Sequence, residues 1–348
     1  MVSAISVNFM GTLTFFVTAF LAAFLLLSII TAPGLCVKTS ANVPKAQADT
    51  RLIHCPDKSI GSVMVVKAHK PDDTWAVYGF GEPQQKQGAK GTVSLTVPRG
   101  YSLYLDTNRR VFENPLLLEE VSPDGIDILK LSFTSMDDRE DHMLEQALEH
   151  VNHLTGLRVL CLDRSEVTDK QISKLGKLPH LCCINFFLSS INGSCFKDLS
   201  AFPELYEIDV PFCQIDQSNI ASLAGIRQLR NLDLRNSDTS VKGARALQKL
   251  TGLVRLNLGD NLKVDDECAN FLRPLVHLKQ LDLRGTRITM AGVKPLGGLK
   301  LEYLWLPARL QTNLKELTMM FPNAKIYFEG SRYAPPTRDD KKIFAPLR

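Results

Sequence analysis

The feature that most constrains the fold is an apolar motif that returns every 23 to 25 residues through the second half of the chain. Leu, Ile, Phe or Val occupies its first, fourth and sixth positions. Seven full copies begin at Leu157, Leu181, Leu205, Leu229, Leu253, Leu278 and Leu301. A degenerate eighth copy begins 31 residues before the first, at Ile126. A motif of nearly constant length predicts stacked, similar units rather than one globular core.

The spacing within a unit predicts a short strand followed by a helical return. Apolar residues at positions four and six point to the same side of a strand, because side chains alternate between its two faces. Later in a unit the apolar residues fall at helical spacing, as in Ile172, Leu175 and Leu178. No single unit can bury its apolar face, so the units are expected to stack as a solenoid with a parallel sheet on the concave side.

Position nine of the motif holds small hydrogen-bonding residues that suit a loop whose backbone groups are stacked between turns. These residues are Ser165, Ser189, Cys213, Ser237, Asn261 and Thr286. With this position the pattern resembles the leucine-rich repeat family over about Gly125 to Phe328. Val167-Thr-Asp and Ile288-Thr-Met-Ala-Gly look like the V-T-D-A-G helix start of bacterial members. The resemblance implies an α/β fold, a leucine-rich-repeat solenoid with a curved parallel sheet and outer helices. It also implies that the chain acts by binding other proteins.

The remainder of the chain divides around this array. We predict an N-terminal membrane segment over 1–32, a linker over 33–59, a small β-rich module over 60–122 that caps the array, the repeat domain over 123–330 and a flexible basic tail over 331–348. Four runs rich in β-branched or aromatic residues predict the strands of the module: Ser62–Lys67, Trp75–Phe80, Thr92–Val97 and Tyr101–Leu105. A helix, turn and strand over 313–328 are expected to cap the C-terminal end of the array.

The N-terminal segment is the strongest signal outside the repeats. Phe9 to Ile30 form a run of 22 uncharged residues, and about 20 apolar residues span a bilayer as a helix. A cleaved signal peptide is the alternative, although its apolar region is usually about 7–15 residues long. Lys38, Lys45 and Arg51 follow the run and no Lys or Arg precedes it, which favours a cytoplasmic location for the bulk of the chain. An extracytoplasmic location follows if the run acts as a signal peptide.

Composition and motifs argue against several functional classes. The net charge of +4 over 348 residues is too small for a nucleic-acid-binding protein. No phosphate-binding loop, dinucleotide-binding motif or nucleophile elbow is present, so we predict no enzyme activity, no cofactor and no small-molecule substrate. His150 and His153 lie three residues apart on a predicted helix, but a solvated helix flank is favoured over a metal site. The eight cysteines form no regular framework and are expected to be unpaired thiols.

The residues expected to face outward from the strands supply the candidate binding site. Position five forms an Asp and Asn ladder, which is expected to be solvent-exposed and to keep the strand face hydrated. Large apolar residues are unexpected on such a face and indicate an interaction surface. The candidate partner-binding residues are Phe187, Leu188, Tyr206, Asp209, Phe212 and Arg235. The alternative is that Leu188 and Phe212 fold over the edge of the loop and pack locally.

These observations predict a membrane-anchored, non-enzymatic leucine-rich-repeat protein that binds a protein partner on its concave face. A second hypothesis is a structural or envelope-associated protein in which the repeats act as a spacer and the β module is the binder. The weakest hypothesis is an enzyme with its active site in the β module, because His69 is the only histidine there.

Overall fold

The computed structural model describes residues 49–68, 82–132 and 141–329. Contacts divide the chain into units 1–45 and 46–348, and every described residue belongs to the second unit. The apolar run from Phe9 to Ile30, the predicted strand Trp75–Phe80 and the C-terminal tail lie outside the described residues. Among the residues that are described, no helix is long and apolar enough to cross a membrane.

The repeat units form one parallel sheet in which each unit contributes a short strand. Neighbouring strands follow chain order and pair in register, so that Ile184, Ile208 and Leu232 stand side by side. The strands are β6 (Ile128–Lys130), β7 (Val159–Cys161), β8 (Cys183–Asn185), β9 (Glu207–Asp209), β10 (Asn231–Asp233), β11 (Arg255–Asn257), β12 (Gln280–Asp282), β13 (Tyr303–Leu306) and β14 (Lys325–Phe328). This arrangement is an α/β fold with a long parallel sheet that resembles a leucine-rich-repeat solenoid, as the spacing of the motif predicts.

Short helices return the chain from one strand to the next. The α-helices are α1 (Arg110–Glu113), α2 (Asp141–Val151), α3 (Asp169–Ile172), α4 (Val241–Leu247), α5 (Asp266–Asn270), α6 (Met290–Val293) and α7 (Leu314–Met320). Other returns are 3-10 helices: Pro115–Leu118, Ser194–Ala201, Asn219–Gly225, Lys294–Leu296 and Ala308–Asn313. Most of these helices are shorter than an isolated helix needs to be stable, so packing against the neighbouring units holds them in place.

Thr and Asp residues at the helix starts explain part of the repeat sequence. Thr289 caps α6 by accepting a hydrogen bond from the Ala291 amide. Asp169, the first residue of α3, is buried and reaches the next unit, where its carboxylate accepts hydrogen bonds from the amides of Asn192 and Cys195 at 2.7 and 2.8 Å. The aspartate therefore ties one unit to the next.

The core lies between the strands and the helical returns. Positions one, four and six are buried in every full unit. The residues at position nine hydrogen-bond to the backbone of the loops, as predicted. Ser237 Oγ donates to the Leu234 carbonyl, and Asn261 Oδ1 accepts from the amides of Ser237 and Thr239 in the preceding unit. Buried backbone groups in the loops thereby obtain partners that the short strands cannot supply.

The β-rich module is continuous with the repeat sheet. Its strands are β1 (Asp49–His54), β2 (Gly61–Lys67), β3 (Gln85–Gly88), β4 (Thr92–Val97) and β5 (Tyr101–Thr107). β1 and β4 form an antiparallel pair, β3, β2 and β5 are antiparallel, and β5 then pairs in parallel with β6. Residues 49–54, which the sequence pattern assigns to a linker, are thus a strand.

Asp127 fastens the module to the first unit. Its Oδ2 atom accepts hydrogen bonds from Arg51 Nη1 and from the Leu103 amide, both at 2.7 Å. One carboxylate therefore joins β1, β5 and the residue before β6. At the other end of the array, α7 and β14 occupy the positions of the predicted helix and last strand.

We expect Leu256→Ala to lower the free energy of unfolding by about 2–5 kcal/mol, because it removes a buried side chain from position four and leaves a cavity. Leu262→Ala is the matched control. Leu262 is 65% exposed, so its truncation is expected to change stability by less than about 0.5 kcal/mol. Urea denaturation of both variants measures the difference, and equal effects would contradict the burial of position four.

Candidate functional site

The edge of the sheet just after the strands has an unusual backbone conformation. At position eight of six successive units the backbone lies in the left-handed region, with φ between 46° and 63°. In five of these units the amide at this position donates to the carbonyl at position seven of the next unit, for example from Phe212 to Arg235 at 2.9 Å. The left-handed turn therefore extends the inter-unit hydrogen bonding beyond the strands. The six residues are Arg164, Leu188, Phe212, Asn236, Asp260 and Gly285.

Gly, Asn and Asp adopt this conformation readily, whereas large apolar side chains rarely do. Asn236, Asp260 and Gly285 therefore suit the turn. Leu188 and Phe212 do not, and Leu188 is 48% exposed, so burial does not explain its presence. Backbone strain of this kind is characteristic of functional positions, where it costs of order 1–3 kcal/mol and is retained for another reason.

Four side chains form a continuous row along this edge, which we call the aromatic row: Arg164, Phe187, Phe212 and Arg235. The two phenylalanine rings meet edge to face, with centroids 5.5 Å apart. The Arg164 guanidinium lies 5.8 Å from the Phe187 ring, and that of Arg235 lies 5.0 Å from the Phe212 ring. Arg235 Nε also contacts Asp260 Oδ2 at 2.6 Å. The row thus presents two half-buried rings held between two cations.

The structure brings together four of the six residues predicted to bind a partner: Phe187 and Phe212 as contacting rings, Leu188 beside them, and Arg235 over the second ring. Leu188 and Phe212 lie at the loop edge, and Phe212 packs against Phe187 and Arg235. Arg164 belongs with them, although it is not among the residues that were predicted to bind a partner. The sequence does indicate Arg164, because it occupies position eight of the β7 unit, and the next two units contain Phe187 and Phe212.

Tyr206 lies elsewhere. It packs against a small apolar cluster on the sheet face opposite the repeat core, at the beginning of the strands rather than at their end. The cluster contains Met64, Val66, Ile128, Val159, Cys161, Cys182 and Cys183, with Tyr104 at its margin. Tyr206 is therefore a packing residue of this cluster, not part of the aromatic row.

The expectation of an exposed Asp and Asn ladder was wrong. Asn185, Asp209, Asp233, Asn257 and Asp282 are all buried. Local hydrogen bonds explain the choice of residue in four of these five units, because the position-five oxygen of Asn185, Asp233, Asn257 and Asp282 accepts from the amide two residues on. Asp233 Oδ1 accepts from Arg235 N at 2.8 Å, and Asn257 Oδ1 from Gly259 N at 2.9 Å. These four side chains shape the turn after their strands. Asp209 is buried as well, so it is not part of an exposed, hydrated strand face.

A buried polar network, which was not predicted from the sequence, lies at position three of the same strands. Glu207 Oε2 accepts hydrogen bonds from Asn231 Nδ2 at 2.6 Å and from Arg255 Nη2 at 2.9 Å. Glu207 and Arg255 are both buried, and they stand two strands apart with Asn231 between them. The signal for it was a pair of opposite charges at the same motif position, 48 residues apart. Breaking such a pair is strongly destabilising, because the remaining charge is left buried.

Burial governs the acid–base properties of this face. Burial, followed by the neighbouring Glu207 and Asp233 carboxylates, raises the pKa of Asp209 well above its ordinary value. Burial raises the pKa of Asp233 to about 7, against the opposing effect of hydrogen bonds from Arg235 and Asn257. Desolvation likewise raises the pKa of the Cys183 thiol, so this thiol is not an activated nucleophile.

The two histidines considered as metal ligands, and the cysteines, complete the candidate groups. His150 Nδ1 lies 2.7 Å from Glu119 Oε1, and His153 Nε2 lies 3.0 Å from the Val121 carbonyl oxygen, so the two imidazoles engage different neighbours. The seven cysteines within the described ranges form no disulfide and are all buried.

Leu188→Asn is expected to raise the free energy of unfolding by about 0.5–1 kcal/mol, because Asn tolerates the left-handed conformation and little apolar burial is lost. Leu262→Asn is the matched control, since Leu262 is also exposed but does not have a positive φ. Urea denaturation tests the pair. A loss of stability in Leu188→Asn that matches or exceeds the loss in Leu262→Asn would show that position 188 carries no backbone strain.

Comparison with known proteins leaves the family of this chain open. No family model matches the chain, and no curated protein matches it. Among solved structures, an internalin (inlF) from Listeria monocytogenes is similar to it, with a TM-score of 0.37 and 16% sequence identity. The match covers 60% of this chain and 77% of the internalin chain.

Proposed function

We propose that this chain is a non-enzymatic binding protein that holds a protein partner at the aromatic row and is attached to a membrane by its N-terminal segment. The observation that carries the proposal is the combination of exposed Leu188 and the contacting rings of Phe187 and Phe212 at an edge where the backbone favours Gly, Asn or Asp.

The composition of the row fits a protein interface. Aromatic and Arg side chains supply most of the energy in protein interfaces, because they bury large areas at low entropic cost and pair with carboxylates or rings. In the row, each ring is already oriented by the other ring and by a guanidinium. A partner that covers the row therefore orders few additional side chains, which lowers the cost of association.

The proposal predicts that Phe212→Ala weakens partner binding at least tenfold, since truncation of an interface anchor costs about 2 kcal/mol or more. The partner is first identified with a photo-cross-linking amino acid at Leu188 in the full chain. Its affinity for wild-type and variant proteins is then measured by calorimetry.

Phe271→Ala serves as the matched control for this measurement. Phe271 is half-buried and lies 5.2 Å from the Arg245 guanidinium, so it has the same kind of ring–cation contact, but it follows α5 in a helical return. We expect Phe271→Ala to bind the partner normally. Equal affinity of Phe212→Ala and wild type, or equal losses in both variants, would refute the proposed site.

The membrane attachment is proposed from the sequence of residues 9–30, whose length and lack of charge suit a bilayer-spanning helix. A cytoplasmic location is proposed from the basic residues that follow the run, and the lack of a regular cysteine framework in the sequence is consistent with it, because disulfide scaffolds are typical of secreted proteins.

The full chain should stay with membranes through a high-salt and carbonate wash, and a chain beginning at Val37 should be released. Release of the intact full chain by carbonate would refute the anchor. Labelling of the chain in intact cells by a membrane-impermeant thiol reagent would refute the cytoplasmic location.

A further inference from the structure

We propose that Cys183, Glu207 and Asp209 form a binding site for a divalent transition-metal ion of the zinc type on the sheet face opposite the repeat core. The site is distinct from the aromatic row, and it does not depend on the proposed protein-binding function.

Three potential ligand atoms converge at this place. The Cys183 Sγ atom and one carboxylate oxygen from each of Glu207 and Asp209 all lie within 4.8 Å of one another. The register of the sheet causes this convergence, because Cys183 and Glu207 are paired across β8 and β9, and Asp209 follows two residues later on the same face. Cα atoms are about 4.8 Å apart across strands and about 6.6 Å apart over two residues, so the ligands form a triangle.

The triangle has a size that a metal ion can close. With Zn–S near 2.3 Å and Zn–O near 2.0–2.2 Å, ligand atoms of a tetrahedral zinc are about 3.4–3.6 Å apart. Rotations of the three side chains that move their atoms by about 1 Å bring the present arrangement to that size. The site would supply three protein ligands and leave a fourth position for water.

Asp209 provides an independent observation that points to a ligand. This carboxylate is buried, and its Oδ1 atom has no hydrogen-bond partner. Other buried position-five side chains use Oδ1 to accept from the amide two residues on, but in the β9 unit that residue is Pro211, which has no N–H. Buried polar atoms without partners are rare, and a bound ion is one of the few explanations for them.

The charges balance when an ion is present. A thiolate and two carboxylates bring a charge of −3, while the Arg255 guanidinium against Glu207 brings +1. A divalent cation makes the buried cluster neutral, which removes the repulsion between carboxylates two residues apart on one strand. Asn231 and Arg255 both donate to Glu207 Oε2, and contacts of this kind orient a ligating carboxylate.

The donor set selects the class of metal. A thiolate disfavours Mg²⁺ and Ca²⁺, which bind oxygen ligands, and two carboxylates disfavour Cu⁺, which binds soft sulfur ligands. Zn²⁺ accepts both kinds of donor, and Co²⁺ reproduces its geometry with a visible spectrum. Bound metal would tie β8 to β9, the two units that carry Phe187 and Phe212.

The test uses the purified full chain, stripped with a chelator and titrated with Co²⁺. We expect one equivalent of Co²⁺ to produce a sulfur-to-cobalt charge-transfer band. Zn²⁺ should displace the Co²⁺, remove the band and raise the melting temperature of the protein. Cys183→Ser should abolish the band. Asp209→Asn should weaken Co²⁺ binding at least tenfold.

Two control variants separate ligation from general effects. Asp233→Asn changes the same motif position one strand further on, and Cys268→Ser removes a buried thiol in a different unit. Both should keep the band and bind Co²⁺ within about threefold of wild type. Circular dichroism and melting of the metal-free proteins establish that each variant is folded.

The absence of a thiolate–cobalt band in the wild-type protein would overturn the proposal, as would a band that persists in Cys183→Ser. If Cys183→Ser does not fold, the comparison of Asp209→Asn with Asp233→Asn decides the matter. Equal affinities of these two variants for Co²⁺ would exclude Asp209 as a ligand.

Discussion

The register between neighbouring units is the constraint on which the rest of this structure depends. Each unit contributes a strand of three or four residues, and parallel pairing places equal motif positions side by side. A residue at a given position therefore contacts its own counterpart in the next unit, about 4.8 Å away. For Leu or Ile at position four this builds a continuous core. For charged residues it places Asp209 beside Asp233, and the protein accommodates this pair by raising both pKa values through burial.

The same register extends past the strands through the left-handed residue at position eight. The amide donates to the next unit from a backbone with positive φ, and this conformation limits the residues that suit each turn. Two units in the middle of the array place Leu188 and Phe212 there. Backbone strain lowers stability at these two turns, which distinguishes them from the Asn, Asp and Gly turns that follow. The left-handed turn is shared by six units, whereas the aromatic row occurs only where these apolar residues stand.

The repeat period, the strand positions, the core and the hydrogen-bonding role of position nine could be predicted from the sequence, because each follows from a pattern that recurs in every unit. The contact between Phe187 and Phe212 was also within reach, since one repeat plus one position separates them. Burial of the position-five ladder was not, because an Asp on a strand face is usually exposed. The Glu207–Arg255 pair was missed for a related reason: it joins units that are not adjacent, whereas motif analysis compares each unit with the consensus. The strand at 49–54 was missed because its partner β4 lies about 40 residues away in sequence.

The Glu207–Arg255 pair also has a consequence for how such an array changes over evolutionary time. Repeat proteins gain and lose whole units by recombination, and interchangeable units tolerate this because each one contacts only its neighbours. Here one ion pair bridges three consecutive strands, with Asn231 on the middle one. An additional unit inserted between them would move Arg255 a further 4.8 Å or so from Glu207 and leave two buried charges apart. The Glu207–Arg255 ion pair therefore restricts the number of units that this stretch can hold.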